Sequence, residues 1–406
     1  KIVAPPKMDD RRLFRFKPDY RTEEFETGLD WSAWGGFGRA VEMCNNNGAC
    51  RNLNLASVMC PSFKVTGDEA HLTRGRANLL RLGLSGQLGQ DALHSEAMAD
   101  ALSLCVGCKG CKRECPVGVD MAAMKIEVQY QRTKRNGISL HDRLVAYLPR
   151  YAPWAARLAP LLNLRDQVPG LAWLSEKLFG FTARRPLPKW RRDVFAPNQN
   201  AFGPVDGPEV VLFADTFNAT FETENLTAAI DVLTAAGRRV HIAQDPTNDR
   251  RLCCGRTYLS AGLVDQARAE MTRTVEALSP FLARVLPILG LEPSCLLTLR
   301  DELLSVLPGA ASEALAKNAM LLEEYLAAEH AASRLELDLG TAGEVLLHGH
   351  CHQKAHQTMS TMTTTLALLP NVEATTVQSS CCGMAGAFGY GAETYETSQA
   401  MAEAAL

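Results

Sequence analysis

Cys105-Val106-Gly107-Cys108-Lys109-Gly110-Cys111-Lys112-Arg113-Glu114-Cys115-Pro116 decides how this chain is read. Three thiolates at i, i+3 and i+6 on a glycine-bearing loop wrap one face of a four-iron cubane, and the Cys-Pro that follows turns the backbone towards a second cluster. Structural zinc sites pair two Cys-x2-Cys units and do not run three cysteines together ahead of Cys-Pro. The run therefore implies electron transfer.

The fourth cysteine of such a run normally ligates the other cluster, so a partner motif is expected upstream. Cys44-Asn45-Asn46-Asn47-Gly48-Ala49-Cys50 keeps the x2 spacing on both sides of Asn47, which stands where a thiolate would be expected. Cys60-Pro61 then supplies the partner's own Cys-Pro. Crossing the ligands over gives a main 4Fe-4S site of Cys60, Cys105, Cys108 and Cys111, and a second site of Cys44, Cys50 and Cys115. An amide is a poor iron ligand, so three readings stand open for the second site: a 3Fe-4S cluster, a 4Fe-4S cluster with a non-cysteine ligand at the odd iron, or no cluster, with Cys115 merely buried.

A chain of 406 residues exceeds what one core usually serves, so two or three domains are expected. No segment reaches the roughly 18 uninterrupted apolar residues of a membrane span, and no secretory leader is visible. Thirteen cysteines clustered with Gly and Pro at metal-ligand spacing fit a reducing compartment better than disulfides, so the chain reads as cytoplasmic. Residues 1–200 hold 30 Lys and Arg against 20 Asp and Glu, whereas the remainder holds 12 against 25. A basic half around anionic clusters lowers the cost of holding that charge. Nucleic acid is the weaker explanation, because the basic residues are dispersed and no recognition motif accompanies them. The start lacks an initiator Met and the end stops inside an unfinished helical pattern, so both ends read as cut from something longer.

Residues 1–30 read as a linker or arm and residues 31–140 as a helical, two-cluster ferredoxin-type domain. In it a helix opened by Thr66-Gly67-Asp68-Glu69 runs through Arg74, Arg76 and Leu79, and another opened by Val119-Asp120 runs through Met124 and Val128. Arg74 and Arg76 read first as a solvated helix face and second as groups that bias a cluster's potential or dock a partner. Residues 141–205 form a helical connector. Its arginine-flanked aromatic stretch from Leu144 to Leu164 is expected to pack on the ferredoxin domain, because Pro149, Pro153 and Pro160 interrupt any long amphipathic face. The alternative is peripheral contact with the inner face of the membrane.

From residue 206 the pattern becomes α/β. Strands are expected at 210–213 and 239–242 around a helix at 225–236, and the sequence of elements restarts at 344–347. Cys253-Cys254-Gly255 and Cys381-Cys382-Gly383 fall at matching places in the two copies, 206–342 and a truncated 343–406, each ahead of a helix whose N-terminus favours thiolates. Vicinal cysteines close a strained disulfide ring, so these turns suit metal or cluster binding. Cys351, Cys381 and Cys382, with His350 or His352 as helpers, form the stronger set. Cys253, Cys254 and Cys295 form the weaker one, with Thr216 where Cys351 stands and Asp215 as a substitute ligand. Histidine beside thiolates favours zinc, and an all-thiolate set favours iron and sulfide.

The chain resembles the iron–sulfur region of bacterial FAD-linked D-2-hydroxyacid dehydrogenases of the fused type. The resemblance is carried by Cys60-Pro-Ser-Phe63, Thr73-Arg-Gly-Arg76, the 105–116 run, Glu292-Pro-Ser-Cys295 through Glu302, His348-Gly-His-Cys-His-Gln-Lys354 and Cys381-Cys-Gly-Met-Ala-Gly386. It implies α plus α/β architecture, with the ferredoxin-like domain followed by a duplicated Rossmann-like Cys-Cys-Gly domain. It also implies an upstream FAD-binding domain on the same polypeptide, whose last residues Lys1-Ile2 resemble, and a quinone or electron-transfer protein as acceptor, with oligomerisation open. Catalytic residues would then lie outside this chain. The alternatives from other classes are a heterodisulfide-reductase-like thiol–disulfide oxidoreductase subunit and a zinc-stapled interaction module.

Overall fold

The computed structural model describes residues 20–404 together with Lys7 and Asp10, apart from 90, 198, 246–249 and 341–342. Expectations about Lys1-Ile2 and most of the first 19 residues lie outside the described residues.

The first half is helical. Helices Thr73–Leu84 and Met121–Asn136 carry its core, burying Ala77, Leu80 and Leu84 from one and Met121, Met124 and Val128 from the other at i, i+3 (or i+4) and i+7. Asp120 starts the second by accepting the N–H of Ala123, and Gly137 ends it at φ 75°. On its inner face Glu127, fully buried, accepts from the N–H groups of Gly28 and Leu29 and from Trp31 Nε1, which fastens the entering chain to the helix. The helix expected to open at Thr66–Glu69 begins later. Gly67 turns left-handed and ends Pro61–Thr66, Asp68 caps only the short turn Glu69–His71, and fully buried Leu72 draws the backbone extended before Thr73 starts the helix.

The connector consists of helices Leu140–Ala146, Leu148–Arg157, Ala159–Leu162, Leu164–Gln167 and Leu171–Phe179. Its packing corrects the expectation that it lies chiefly on the cluster-bearing half. Its partner is the α/β half, where Thr257 donates to the Ala146 carbonyl and Tyr147 meets Tyr258 edge-on. The buried face is small: Ala152, Ala155, Ala156 and Ala159 point inward. The large side chains point out, with Trp154, Leu161 and Trp173 66%, 62% and 59% exposed.

The second half contains a sheet of order β1-β3-β2-β4-β5, from β1 (Ala201–Phe202), β2 (Glu209–Leu212), β3 (Arg239–Ile242), β4 (Ile288–Gly290) and β5 (Ala319–Leu321). All pairs are parallel except β1 with β3, and Val210 faces Val240 while Leu212 faces Ile242. Val210 to Leu212 of β2 and the whole of β4 and β5 are apolar runs because helices cover them, whereas β3 alternates buried Val240 and Ile242 with half-buried Arg239 and His241. A second, two-stranded parallel sheet pairs β6 (Glu344–Leu347) with β7 (Glu373–Thr376). The two α/β units thus share a strand–helix–strand start and differ in sheet size. Among the described residues no helix is long and apolar enough to cross a membrane.

Candidate metal centre

The main set converges on one point. Cys60 precedes helix Pro61–Thr66, Cys105 and Cys108 stand on the loop that follows helix Glu96–Ser103, and Cys111 lies in the first turn of Gly110–Glu114. Gly107 and Lys109 are left-handed at φ 61° and 60°, which curls the loop so that its sulfurs share one side. Gly110 tolerates no side chain, since a Cβ there would sit 2.9 Å from the Met59 nitrogen. All four cysteines line one small cavity, together with Thr73, Arg76 and Lys109.

Donors surround the sulfurs. Thr73 Oγ1 lies 3.2 Å from Cys60 Sγ. Backbone N–H groups of Thr73, Gly110 and Met121 serve Cys60, Cys108 and Cys111 respectively. Thr73 and Met121 open the two long helices, so two positive helix ends face the set. Burial pushes the Cys60 thiol up to about 11, and burial with neighbouring cysteines and Asp120 raises Cys108 and Cys111 well above the ordinary thiol range. Such thiols release their protons to a Lewis acid rather than to water. Among the described residues no three His, Cys, Asp or Glu side chains are placed to hold a single metal ion. Four soft donors around an enclosed space, with amides on the sulfurs and basic groups in the wall, fit a 4Fe-4S cluster.

Of the second set, Cys44 and Cys50 lie close enough for each thiolate to disfavour the other, and the Arg74 backbone serves Cys50. Cys115 ends the helix that packs on the Ala49–Arg51 turn. Asn47 is not turned into the site. It is exposed, its Oδ1 accepts from the Ala49 N–H at 2.8 Å and its amide donates to Asn45 at 2.7 Å.

Both Cys-Cys-Gly turns are built alike. Gly255 and Gly383 are left-handed, at φ 80° and 77°, and direct their N–H groups to Cys253 Sγ and Cys381 Sγ. A Cβ at Gly383 would lie 2.0 Å from the Ser398 carbonyl oxygen. Gly255 is followed at once by the short helix Arg256–Ser260, whereas after the second pair only the 3-10 turn Phe388–Tyr390 comes before helix Tyr395–Glu403. A hydrogen bond from Cys381 brings the Cys382 thiol down to about 5 and raises Cys381, and burial pushes Cys351 up to about 11. In the first unit Cys254 hydrogen-bonds Cys295, which burial and the carboxylates of Asp215 and Glu292 nevertheless push up to about 12. Burial raises Asp215 to about 6 although Asn218 and Phe217 donate to it. Asp215 and Thr216 open helix Thr216–Thr220 as His350 and Cys351 open Cys351–His356, which is the correspondence the sequence suggested.

The relation between the sets was not legible in the sequence. Cys108 lies close enough to Cys351 for their charges to interact, so the stronger Cys-Cys-Gly set abuts the main set. His350 stands between Cys382 and Glu292, at 4.0 Å from the latter, and so links the second set to the first. His352 turns one ring nitrogen to the cluster loop and keeps the other, Nδ1, buried without a hydrogen-bond partner. Its Nε2 donates to the Gly107 carbonyl at 3.1 Å, inside the cluster loop. Lys109, 3% exposed, reaches from the same loop to Asp301 and Glu302, and Arg256 holds Glu302 from the other side. Lys109 sits within a Cys-x2-Cys unit, where sequence reading looks only at the cysteines.

The family model of a 4Fe-4S dicluster domain matches residues 40–119, and that of a cysteine-rich domain matches residues 345–406. The chain is 28% identical to D-2-hydroxyglutarate dehydrogenase of Pseudomonas putida over 94% of its own length and 41% of the relative's. It is 24% identical to the Escherichia coli protein of the same name, over 89% and 39%. The glycolate oxidase iron–sulfur protein of Escherichia coli is 28% identical over 32% of this chain and 32% of its own. The chain thus spans about two fifths of the dehydrogenases that cover it almost entirely. No solved structure matches it. The matches bear out the resemblance to the iron–sulfur region of such dehydrogenases.

Proposed function

We propose that the chain is the electron-transfer part of an FAD-dependent D-2-hydroxyacid dehydrogenase, with D-2-hydroxyglutarate and D-lactate as substrate candidates. The flavin and the substrate site belong to the upstream domain, and a quinone or an electron-transfer protein takes the electrons away. The observation that carries this reading is the convergence of Cys60, Cys105, Cys108 and Cys111 on one cavity, with helix Cys351–His356 of the cysteine-rich domain packed on Gly110–Glu114 beside it. A 4Fe-4S cluster there supplies a one-electron store that a flavin can fill one electron at a time.

The chain's own groups do the rest. The four cysteines hold the cluster, and the amides of Thr73, Gly110 and Met121 steady its sulfurs. Met121 and Ala122, both buried, line the cavity and keep water away. Lys109 and His352 lock the loop to both α/β units, which fixes the gap between Cys108 and Cys351. Cys351, Cys381 and Cys382 are the next metal-holding set, followed by Cys253, Cys254 and Cys295. Iron and sulfide suit both. Cys44, Cys50 and Cys115 hold a 3Fe-4S cluster. We read the two α/β units as a duplicated Rossmann-like domain. The outward Trp154 and Trp173, with Arg157 over the Trp154 ring at 4.5 Å, suit peripheral contact with a membrane.

The test is iron, zinc and labile-sulfide analysis of the anaerobically purified full chain, with EPR of the dithionite-reduced protein. At least four irons with matching sulfide and a reduced 4Fe-4S signal are expected. A metal-free or zinc-only protein overturns the proposal.

A further inference from the structure

Arg76 lies on the wall of the main cavity and is 2% exposed. Its Nε donates to the Ala101 carbonyl at 2.7 Å and its Nη2 to Ser62 Oγ at 3.1 Å, both neutral acceptors. No carboxylate among the described residues forms an ion pair with it, and its charge reaches Cys60 and Lys125. Burying a guanidinium is expensive unless an anion compensates it, and arginine cannot escape the cost by deprotonating. The neighbours best placed to compensate are the four thiols of the cavity, which become anionic when they bind metal. Lys125, whose Nζ donates to the Cys105 carbonyl at 2.6 Å, adds a second basic group on the same side.

We infer that Arg76 is the fixed counter-charge of the cluster at Cys60, Cys105, Cys108 and Cys111, and that it holds this cluster at a raised reduction potential. The inference rests on the reading of that site given above. Reduction adds one electron, hence one negative charge, to an already anionic body, so a cation held against it in a water-poor wall favours the reduced state over the oxidised one. The guanidinium is locked by Ala101 and Ser62 and needs no rearrangement when the electron arrives. Arg74, two residues earlier, is bound instead to exposed Glu69 and stands beside Cys50, so it exerts no comparable pull on the main set. Arg76 is thus a positioning residue for electrons: it makes the main cluster the preferred resting place between donor and acceptor.

The test compares Arg76→Lys and Arg76→Gln in the full, anaerobically purified chain by EPR-monitored redox titration with mediators, after iron and sulfide have been counted. With clusters loaded, Arg76→Gln is expected to lower the equilibrium constant for one-electron reduction at least ten-fold, about 59 mV for a one-electron couple. Arg76→Lys, which keeps the charge, is expected to stay within about three-fold of the wild type. Loaded Arg76→Gln protein with an unchanged potential overturns the inference. So does loss of the cluster in both variants, which would make Arg76 a strut. A wild-type chain without iron would instead overturn the reading of the site itself.

Discussion

Replacing Lys109 by Met separates a working clamp from an ornamental salt bridge. The Lys109 ammonium, 3% exposed, stands 2.8 Å from Asp301 and 2.5 Å from Glu302, whose own side chains are 13% and 6% exposed. Removing one partner of a buried pair costs about 3–5 kcal/mol, because the remaining charge is left without compensation. Here each carboxylate keeps another cation, Lys112 for Asp301 at 2.6 Å and Arg256 for Glu302 at 2.9 Å, and His356 Nε2 stands 3.7 Å from Asp301, so the lower end, about 3 kcal/mol, applies. Urea unfolding followed by pulse proteolysis under anaerobic conditions measures it, and a cycle with Glu302→Gln isolates the pair. A loss below about 1 kcal/mol, the value of an exposed pair, would refute the reasoning. The pH dependence is a second check. Burial alone would raise Asp301, but Lys109 and Lys112 override it and hold the carboxyl well below the usual range. A depressed carboxylate contributes stability above its unfolded value, near pH 4, and loses it as pH falls towards the folded value. The cost of Lys109→Met should therefore be flat from pH 8 to 5 and shrink below about pH 4.

Cys60→Ser and Cys108→Ser should abolish the same EPR signal while Cys115→Ser spares it, and different losses for the first two would mean the ligands do not cross over. Asn47→Ala should leave iron content and spectrum unchanged, since its amide is spent on Ala49 and Asn45, and a lost signal would identify Asn47 as a ligand. Glu127→Gln leaves one acceptor oxygen where a carboxylate served Gly28, Leu29 and Trp31, so about 2–4 kcal/mol should be lost in the same urea assay, and a change within about 0.5 kcal/mol would contradict the anchoring role.

The sequence alone determined the ligand types and much of the local structure. Cysteine spacing reports a local loop shape, so the 105–116 run and the Cys-Cys-Gly turns could be read where left-handed Gly107, Gly255 and Gly383 make them. Apolar runs likewise announced β2 and β6, because strand and helix periods are properties of neighbouring residues. What tertiary structure decided is everything that depends on which surfaces meet. Arg76 reads as one more charge on a helix until the neighbouring helices close over it and leave it facing thiols. Asn47 occupies a ligand's place in the spacing, yet its amide bonds to its own loop and turns to water. The connector's apolar residues were legible as apolar, but only packing showed that alanines go inward and tryptophans outward. Cys108 and Cys351 stand far apart in the chain and become neighbours because Lys109, His352 and Arg256 bind the cluster loop to both α/β units. No spacing rule reaches across such a separation, since that contact exists only once the two halves have buried their shared charges.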